Sequence, residues 1–144
     1  MDVPSNCYNY LFSSCESLTS APELPATVLG ECCYESMFYA CGSLTKAPEL
    51  PATTLAEGCY YRMFESCYNL NEAYDIPVTN FSGGYSMQYM FAYTNLQTIP
   101  KFEIEYIPQG TCLGMFIGCN NLLDGRLYQR YLTTDCYNEM FGYC

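Results

Sequence analysis

The 144-residue chain carries 15 acidic and 5 basic residues, a formal net charge of −10, and half of its residues are hydrophobic. Its length is typical of a single domain, and its apolar content excludes a wholly disordered acidic chain. The acidic excess excludes nucleic-acid binding, since contacts to phosphate need clustered Lys and Arg. The chain has no histidine, which removes Ser-His-Asp and Cys-His nucleophiles and every His-ligated metal site. We therefore predict that the protein is not an enzyme and holds no cofactor or metal ion.

Targeting and membrane signals are the next feature to consider. The first thirty residues have no basic start and no long apolar stretch, so no signal peptide is visible. No run approaches the roughly 18 apolar residues of a membrane span, and we predict no membrane insertion. These features leave the compartment open.

An internal repeat dominates the sequence. Residues 19–31 read TSAPELPATVLGE, and residues 45–57 read TKAPELPATTLAE. A hydrophobic residue followed by phenylalanine recurs with spacings of 26, 26, 27, 25 and 25 residues. We call these the core phenylalanines and number units one to six after them: Phe12, Phe38, Phe64, Phe91, Phe116 and Phe141. A cysteine stands three residues after most of them, and a leucine stands six residues after.

A fixed period of this length predicts a solenoid whose units stack their inward residues. We predict an α/β solenoid of the leucine-rich-repeat type, in which each coil has a short parallel strand and a short helical turn. The chain would form a single domain, residues 1–144, with six coils of 25–27 residues near 7–32, 33–58, 59–85, 86–110, 111–135 and 136–144 (partial). The helical turn is predicted from steps of three and four residues among Cys59, Tyr60, Met63, Phe64 and Cys67. Prolines restrict the strand to roughly Leu44 to Ala47, and residues 81–95 are expected to form an irregular coil.

A family resemblance rests on an aromatic residue followed by x-x-Cys-x-x-Leu, as in Phe38, Cys41 and Leu44, repeated along residues 7–144. This pattern resembles the BspA-like leucine-rich repeats of Bacteroidetes surface and phage-associated proteins. Their usual unit has Ala-Phe where this chain has Met-Phe, and the coil here is longer. The resemblance implies a leucine-rich-repeat fold, a role in adhesion or protein binding, and an extracellular, cell-surface or virion location.

The 11 cysteines fall mostly on two positions of the repeat. Five cysteines stand three positions after a core phenylalanine, and we predict that they form a buried thiol ladder: Cys15, Cys41, Cys67, Cys119 and Cys144. Stacked side chains at one repeat position fit disulfide geometry poorly, so we interpret these cysteines as small buried hydrophobes. Disulfides involving the off-pattern Cys32 or Cys112, a zinc site and a reactive thiol remain alternatives.

Three acidic residues, Glu23, Glu49 and Asp75, share one repeat position and are expected to form an acidic ladder that ends at Lys101. Like charges stacked about 5 Å apart repel each other unless water or a cation such as Ca²⁺ lies between them. A solvated acidic stripe is therefore the main interpretation. Calcium binding and a glycosidase carboxylate pair are the alternatives.

The chain has 16 tyrosines, and exposed tyrosine suits protein or glycan contact because the side chain is rigid and amphipathic. Tyrosines outside the position four residues before a core phenylalanine are predicted to form a contact surface, with ordinary packing as the alternative: Tyr39, Tyr61, Tyr68, Tyr74, Tyr89 and Tyr93. The end coils are predicted to expose residues for contact with another protein or a second copy. These residues are Tyr8, Leu11, Phe12, Tyr137, Met140 and Phe141.

Two functional hypotheses follow from the sequence. The first is a non-enzymatic, adhesin-like repeat module that binds a protein or a surface glycan through its tyrosines. The second is a structural subunit of a larger assembly, such as a phage virion decoration or a filament, which uses the uncapped ends of the stack. In either case the predicted partner is a protein, including the chain itself end to end, or a glycan, and the protein is not a free monomer.

Overall fold

The structure, a computed structural model, describes residues 2–102, 104, 106–123, 131–132 and 138–144. It contains six strands of two residues each, in the order β1 Asp2–Val3, β2 Val28–Leu29, β3 Thr54–Leu55, β4 Asn80–Phe81, β5 Tyr106–Ile107 and β6 Tyr131–Leu132. These strands pair in parallel as β1 with β2, β3 with β4 and β5 with β6, giving three separate two-stranded sheets. The register places Thr54 opposite Asn80 and Leu55 opposite Phe81.

The predicted α/β solenoid with helical turns is wrong. The described part of the chain contains no helix, and its strands form small separate pairs instead of one sheet that runs from coil to coil. Across the segment in which a helical turn was predicted, every fourth residue has a positive φ: 60° at Gly58, 53° at Arg62 and 63° at Ser66. A right-handed helix requires negative φ at every residue, so these positions end any helix before it can begin.

Alternate backbone N–H groups replace the helical hydrogen bonds. In unit three, the N–H groups of Met63 and Cys67 donate to the carbonyl three residues earlier, at 3.2 and 3.1 Å, which closes successive tight turns. The N–H groups between them donate to the next unit instead, as Phe64 does to Met90 at 2.9 Å. We call the ten residues that begin six residues before each core phenylalanine the turn segment. Because each pair of turns spans four residues, side chains four apart face the same way, which imitates a helical pattern in the sequence.

The strand position was also mispredicted. The stretch from Leu44 to Ala47 holds only a single bridge, between Lys46 and Glu72. The strands lie instead after the proline-rich bend, as at β3, where no proline removes an N–H donor. Residues 81–95 are not an irregular coil, since their turn segment repeats the same alternation, with Phe91 N–H donating to Met115 at 2.9 Å.

Columns of like side chains from successive units run through the core. Neighbouring core phenylalanines lie 5.4 to 5.9 Å apart between ring centroids, with ring planes within 9° of parallel. The inner four rings are fully buried, whereas Phe12 and Phe141 are half-buried. A second column stacks Tyr8, Tyr34 and Tyr60 at 5.9 and 6.3 Å. Burial of such rings contributes about 1.5–3 kcal/mol each, and stacking adds to it.

Candidate functional site

A row of tyrosines lies on the turn segment of unit four. Tyr85, Tyr89 and Tyr93 stand four residues apart and have φ values of 57°, 54° and 57°. Non-glycine residues adopt this left-handed region rarely, but the turn segments of this chain place every fourth residue there, as at Tyr10, Arg62 and Tyr143. Because the turns repeat every four residues, the three side chains form one row.

The neighbouring unit supplies glycine at all three matching positions. Gly110, Gly114 and Gly118 have φ values of +70°, +57° and +71°, and a Cβ added at Gly114 would collide with the ring of Tyr89. A Cβ at Gly118 would likewise strike Tyr93. The Tyr89 and Tyr93 rings therefore lie against bare backbone, which fixes one side of each ring, whereas a Cβ at Gly110 would make only van der Waals contact with Tyr85. Tyr85 and Tyr93 remain 55% and 43% exposed.

One cation lies among these rings. The Arg62 guanidinium is 5.1 Å from the ring centroid of Tyr61 and 5.3 Å from that of Tyr89, which is within the range of cation–π attraction. Its Nε lies 3.4 Å from Oε2 of Glu65, and neither of these two buried atoms makes a hydrogen bond. We define the tyrosine–arginine face as Tyr61, Arg62, Tyr85, Tyr89 and Tyr93.

Partial burial affects the pKa values of the two charged side chains at the face, Arg62 and Glu65. Burial disfavours the charge on Arg62, but the carboxylate of Glu65 and the Tyr61 hydroxyl outweigh this effect and raise the Arg62 pKa. Burial also raises the pKa of Glu65, against the opposing pull of Arg62. The face therefore carries the Arg62 cation, paired with the Glu65 carboxylate and beside the Tyr61 and Tyr89 rings.

The structure brings together three of the six tyrosines predicted as a contact surface. Tyr61, Tyr89 and Tyr93 lie on the tyrosine–arginine face, and Tyr39 is half-buried near enough to Arg62 to influence its charge. Tyr68 is 64% exposed and is not part of this face. The sequence reasoning missed Arg62 and Tyr85. A visible signal was the four-residue spacing of tyrosines in residues 85–93, matched by glycines in residues 110–118.

The sixth predicted tyrosine, Tyr74, lies in a separate groove of about 710 Å³ lined mainly by residues 19–25 and 45–51. Lys46 Nζ lies 4.4 Å from the Tyr74 ring centroid and 3.3 Å from Oε2 of Glu72. Hydrogen bonds to Tyr74 and then to Glu72 raise the pKa of Lys46. The Lys46 side chain therefore supplies a positive charge to a groove that is lined by several prolines.

The acidic ladder is divided between two surroundings. Glu23 and Glu49 are exposed and line the groove. Asp75 is also exposed, but its Oδ1 accepts the backbone N–H of Lys101 at 2.9 Å. Among the described residues, no group of three or more Cys, Asp or Glu side chains is placed to hold a metal ion.

The predicted thiol ladder is buried only in its middle. The Sγ atoms of Cys41, Cys67 and Cys119 each donate to the core phenylalanine carbonyl of the preceding unit at 3.0 Å. Cys15 and Cys144, at the two ends, are exposed. In unit four the position is occupied by threonine, whose hydroxyl donates to the Phe91 carbonyl at 2.8 Å.

Thiol chemistry follows from this burial. Burial raises the pKa of Cys67, and of Cys33 in the second cysteine position, to about 12. A thiol of this pKa stays protonated at neutral pH and is a poor nucleophile. The off-pattern Cys32 is a free thiol, as are Cys33, Cys41 and Cys67.

The predicted end contacts occupy the first and last units. Leu11 is 53% exposed, and Tyr8 and Phe12 are half-buried. At the other end Met140 is buried and Phe141 is half-buried. Tyr137 lies outside the described residues.

Comparisons with known proteins add no identity. No protein family, curated protein or solved structure matches the chain. In the ranges that the structure describes, no helix is long and apolar enough to cross a membrane.

Proposed function

We propose that the protein is a non-enzymatic binding module that contacts another protein through the tyrosine–arginine face. The observation that carries the proposal is the row Tyr85, Tyr89 and Tyr93, of which the last two rings lie against glycine backbone, with Arg62 beside Tyr89. Tyrosine and arginine are the residues enriched at energetic hot spots of protein interfaces.

Preorganisation supports binding at this face. Association usually costs about 0.5–1.5 kcal/mol for each flexible side chain that becomes ordered. The Tyr89 and Tyr93 rings already lie against Gly114 and Gly118, so much of that ordering is complete before a partner arrives.

A protein partner is favoured over a small molecule by the shape of the site. Small-molecule sites are concave, whereas none of the five face residues lines the described groove. The net charge of −10 favours a partner with a basic surface, since complementary potentials speed association. A surface glycan, which also stacks on exposed tyrosine, is the competing outcome of the test.

The test selects binders from a random peptide-display library and, in parallel, probes a glycan array with the same purified chain. Tyr85→Ala and Tyr93→Ala should each weaken the selected peptides about tenfold or more, because a buried tyrosine hot spot contributes 2 kcal/mol or more. Tyr68→Ala is the matched control, since Tyr68 is at least as exposed as Tyr85 and Tyr93 but is not part of the face. Peptides that bind all three variants like the parent would refute the proposal, and glycan binding lost in the two face variants would replace protein with carbohydrate as the ligand.

A structural role in a larger assembly is the second candidate function. Among the described residues, backbone groups of units one and six that are without a hydrogen-bond partner favour it, and these groups are separate from the tyrosine–arginine face.

A further inference from the structure

The backbone bonds between neighbouring turn segments all run in one direction. In each described case an N–H of the earlier unit donates to a carbonyl of the later unit. Phe12 donates to Met37 at 2.9 Å, and Phe116 donates to Met140 at 3.0 Å. Every turn segment therefore presents acceptors on one side and donors on the other.

The two outer units keep one unpaired row each within the described part of the chain. In unit one, the carbonyls of Asn9, Leu11 and Ser13 have no hydrogen-bond partner. In unit six, the N–H groups at the complementary repeat positions are also unpaired: Glu139, Phe141 and Tyr143. An exposed row of backbone donors or acceptors is a template for pairing with another chain.

The side chains of unit one and unit six are complementary as well. Phe141 stacks on Phe116 at 5.9 Å, and Phe12 stacks on Phe38 at 5.5 Å, so each end ring has one neighbour of its own kind and is only half-buried. Inside the stack each buried ladder thiol donates to the phenylalanine carbonyl of the preceding unit. The exposed Cys15 is the ladder thiol of unit one, and within the described residues its Sγ donates to no phenylalanine carbonyl.

We propose that unit six of one copy packs against unit one of a second copy. Glu139, Phe141 and Tyr143 N–H groups would donate to the carbonyls of Asn9, Leu11 and Ser13, the pattern found between units one and two. Phe141 would stack on Phe12, and Cys15 Sγ would donate to the Phe141 carbonyl, as its equivalents do within the chain. The proposal is independent of the tyrosine–arginine face.

The direction of the bonds determines the geometry of assembly. Two copies of unit one would meet with acceptors on both sides, and two copies of unit six with donors on both sides, so only a head-to-tail arrangement satisfies the groups. Such a contact leaves the opposite ends free and therefore propagates into a filament. The net charge of −10 opposes association of like copies, so salt should promote it. Another unit of this repeat, placed next to unit one or unit six, would pair with the same backbone groups as a second copy does. The test therefore uses the 144-residue chain.

Sedimentation velocity under reducing conditions tests the proposal. The parent chain should form species that grow from low to high micromolar concentration. Leu11→Arg, a change of a half-exposed side chain on unit one, and Phe141→Arg on unit six should each reduce self-association about tenfold or more, because a charge would be buried without a partner. Tyr68→Arg, an exposed position in the middle of the stack, is the matched control and should assemble like the parent.

Mixing the two blocked variants gives the decisive result. Leu11→Arg retains an intact unit six, and Phe141→Arg retains an intact unit one, so the mixture should form a dimer that does not grow further. Because Phe141 contacts Phe116, a thermal melt checks that its variant is folded, and Leu11→Arg alone keeps the proposal testable. A monomeric parent at every concentration, assembly that survives Leu11→Arg, or a mixture of folded variants that stays monomeric would each overturn the proposal.

Discussion

Replacement of a core phenylalanine should cost more in the middle of the stack than at its end. Phe64 is fully buried and has parallel rings on both faces, Phe38 at 5.5 Å and Phe91 at 5.4 Å. A buried Phe→Ala change costs about 3–5 kcal/mol, and each aromatic pair is worth about 0.5–1.5 kcal/mol beyond its area. We expect Phe64→Ala to lower the free energy of unfolding by about 4–5 kcal/mol, at the upper end of the core range.

Phe12 provides the matched comparison within the same column. It is half-buried and has one ring neighbour, Phe38, so Phe12→Ala should lower the free energy of unfolding by about 1.5–2.5 kcal/mol. Urea unfolding under reducing conditions, followed by tyrosine fluorescence, measures both changes. Equal losses for the two variants, or a loss below about 2 kcal/mol for Phe64→Ala, would refute the reasoning, since stacking on both faces would then add nothing.

Three further predictions concern the thiols and the glycine row. In the native protein, Cys41 and Cys67 should react with iodoacetamide far more slowly than the exposed Cys15, and mass spectrometry that finds equal labelling would contradict their burial. Burial raises the pKa of Cys67 from 9.0 to about 12. As the pH rises, this thiol therefore loses its proton in the unfolded chain before it does so in the folded chain. The contribution of this thiol should be constant between pH 7 and about pH 8.5, and stability should then decrease as the pH rises toward 12; urea midpoints that stay level above pH 8.5 would argue against it. Gly114→Ala should cost about 1–3 kcal/mol, because φ is +57° and the new Cβ meets Tyr89, whereas Gly42→Ala, where a Cβ meets nothing within 4 Å, should change stability by under about 1 kcal/mol. A thermal or urea melt in which the two glycine variants behave alike would show that the ring does not rest on the backbone.

The repeat could be aligned from the sequence because its period is carried by large side chains. The phenylalanines aligned in this way, such as Phe38, Phe64 and Phe91, stack as one column in the structure. The local conformation was mispredicted because a four-residue repeat of tight turns places side chains on one face almost as a 3.6-residue helix does. Cys59, Met63 and Cys67 therefore have the same spacing in either conformation.

The tyrosine–arginine face was only partly predictable for a related reason. Its position depends on positive φ at residues such as Arg62 and Tyr89, whose side chains do not favour that conformation. Glycine is the residue that signals positive φ in a sequence, and here Gly110, Gly114 and Gly118 mark the positions only in the following unit. The site thus depends on matching one unit with the next, which requires knowledge of the stacking register.

The one-way hydrogen bonds between turn segments have an electrostatic consequence. Each peptide group has a dipole of about 3.5 D, and in an ordinary sheet the strand dipoles alternate and largely cancel. Here the participating N–H groups all point from unit one toward unit six, so their dipoles add along the stack. The positive end lies at unit six and the negative end at unit one, the reverse of an α-helix, whose N-terminus is positive. An acidic substitution should therefore be tolerated better near Tyr143 than near Leu11, although the chain as a whole is strongly negative.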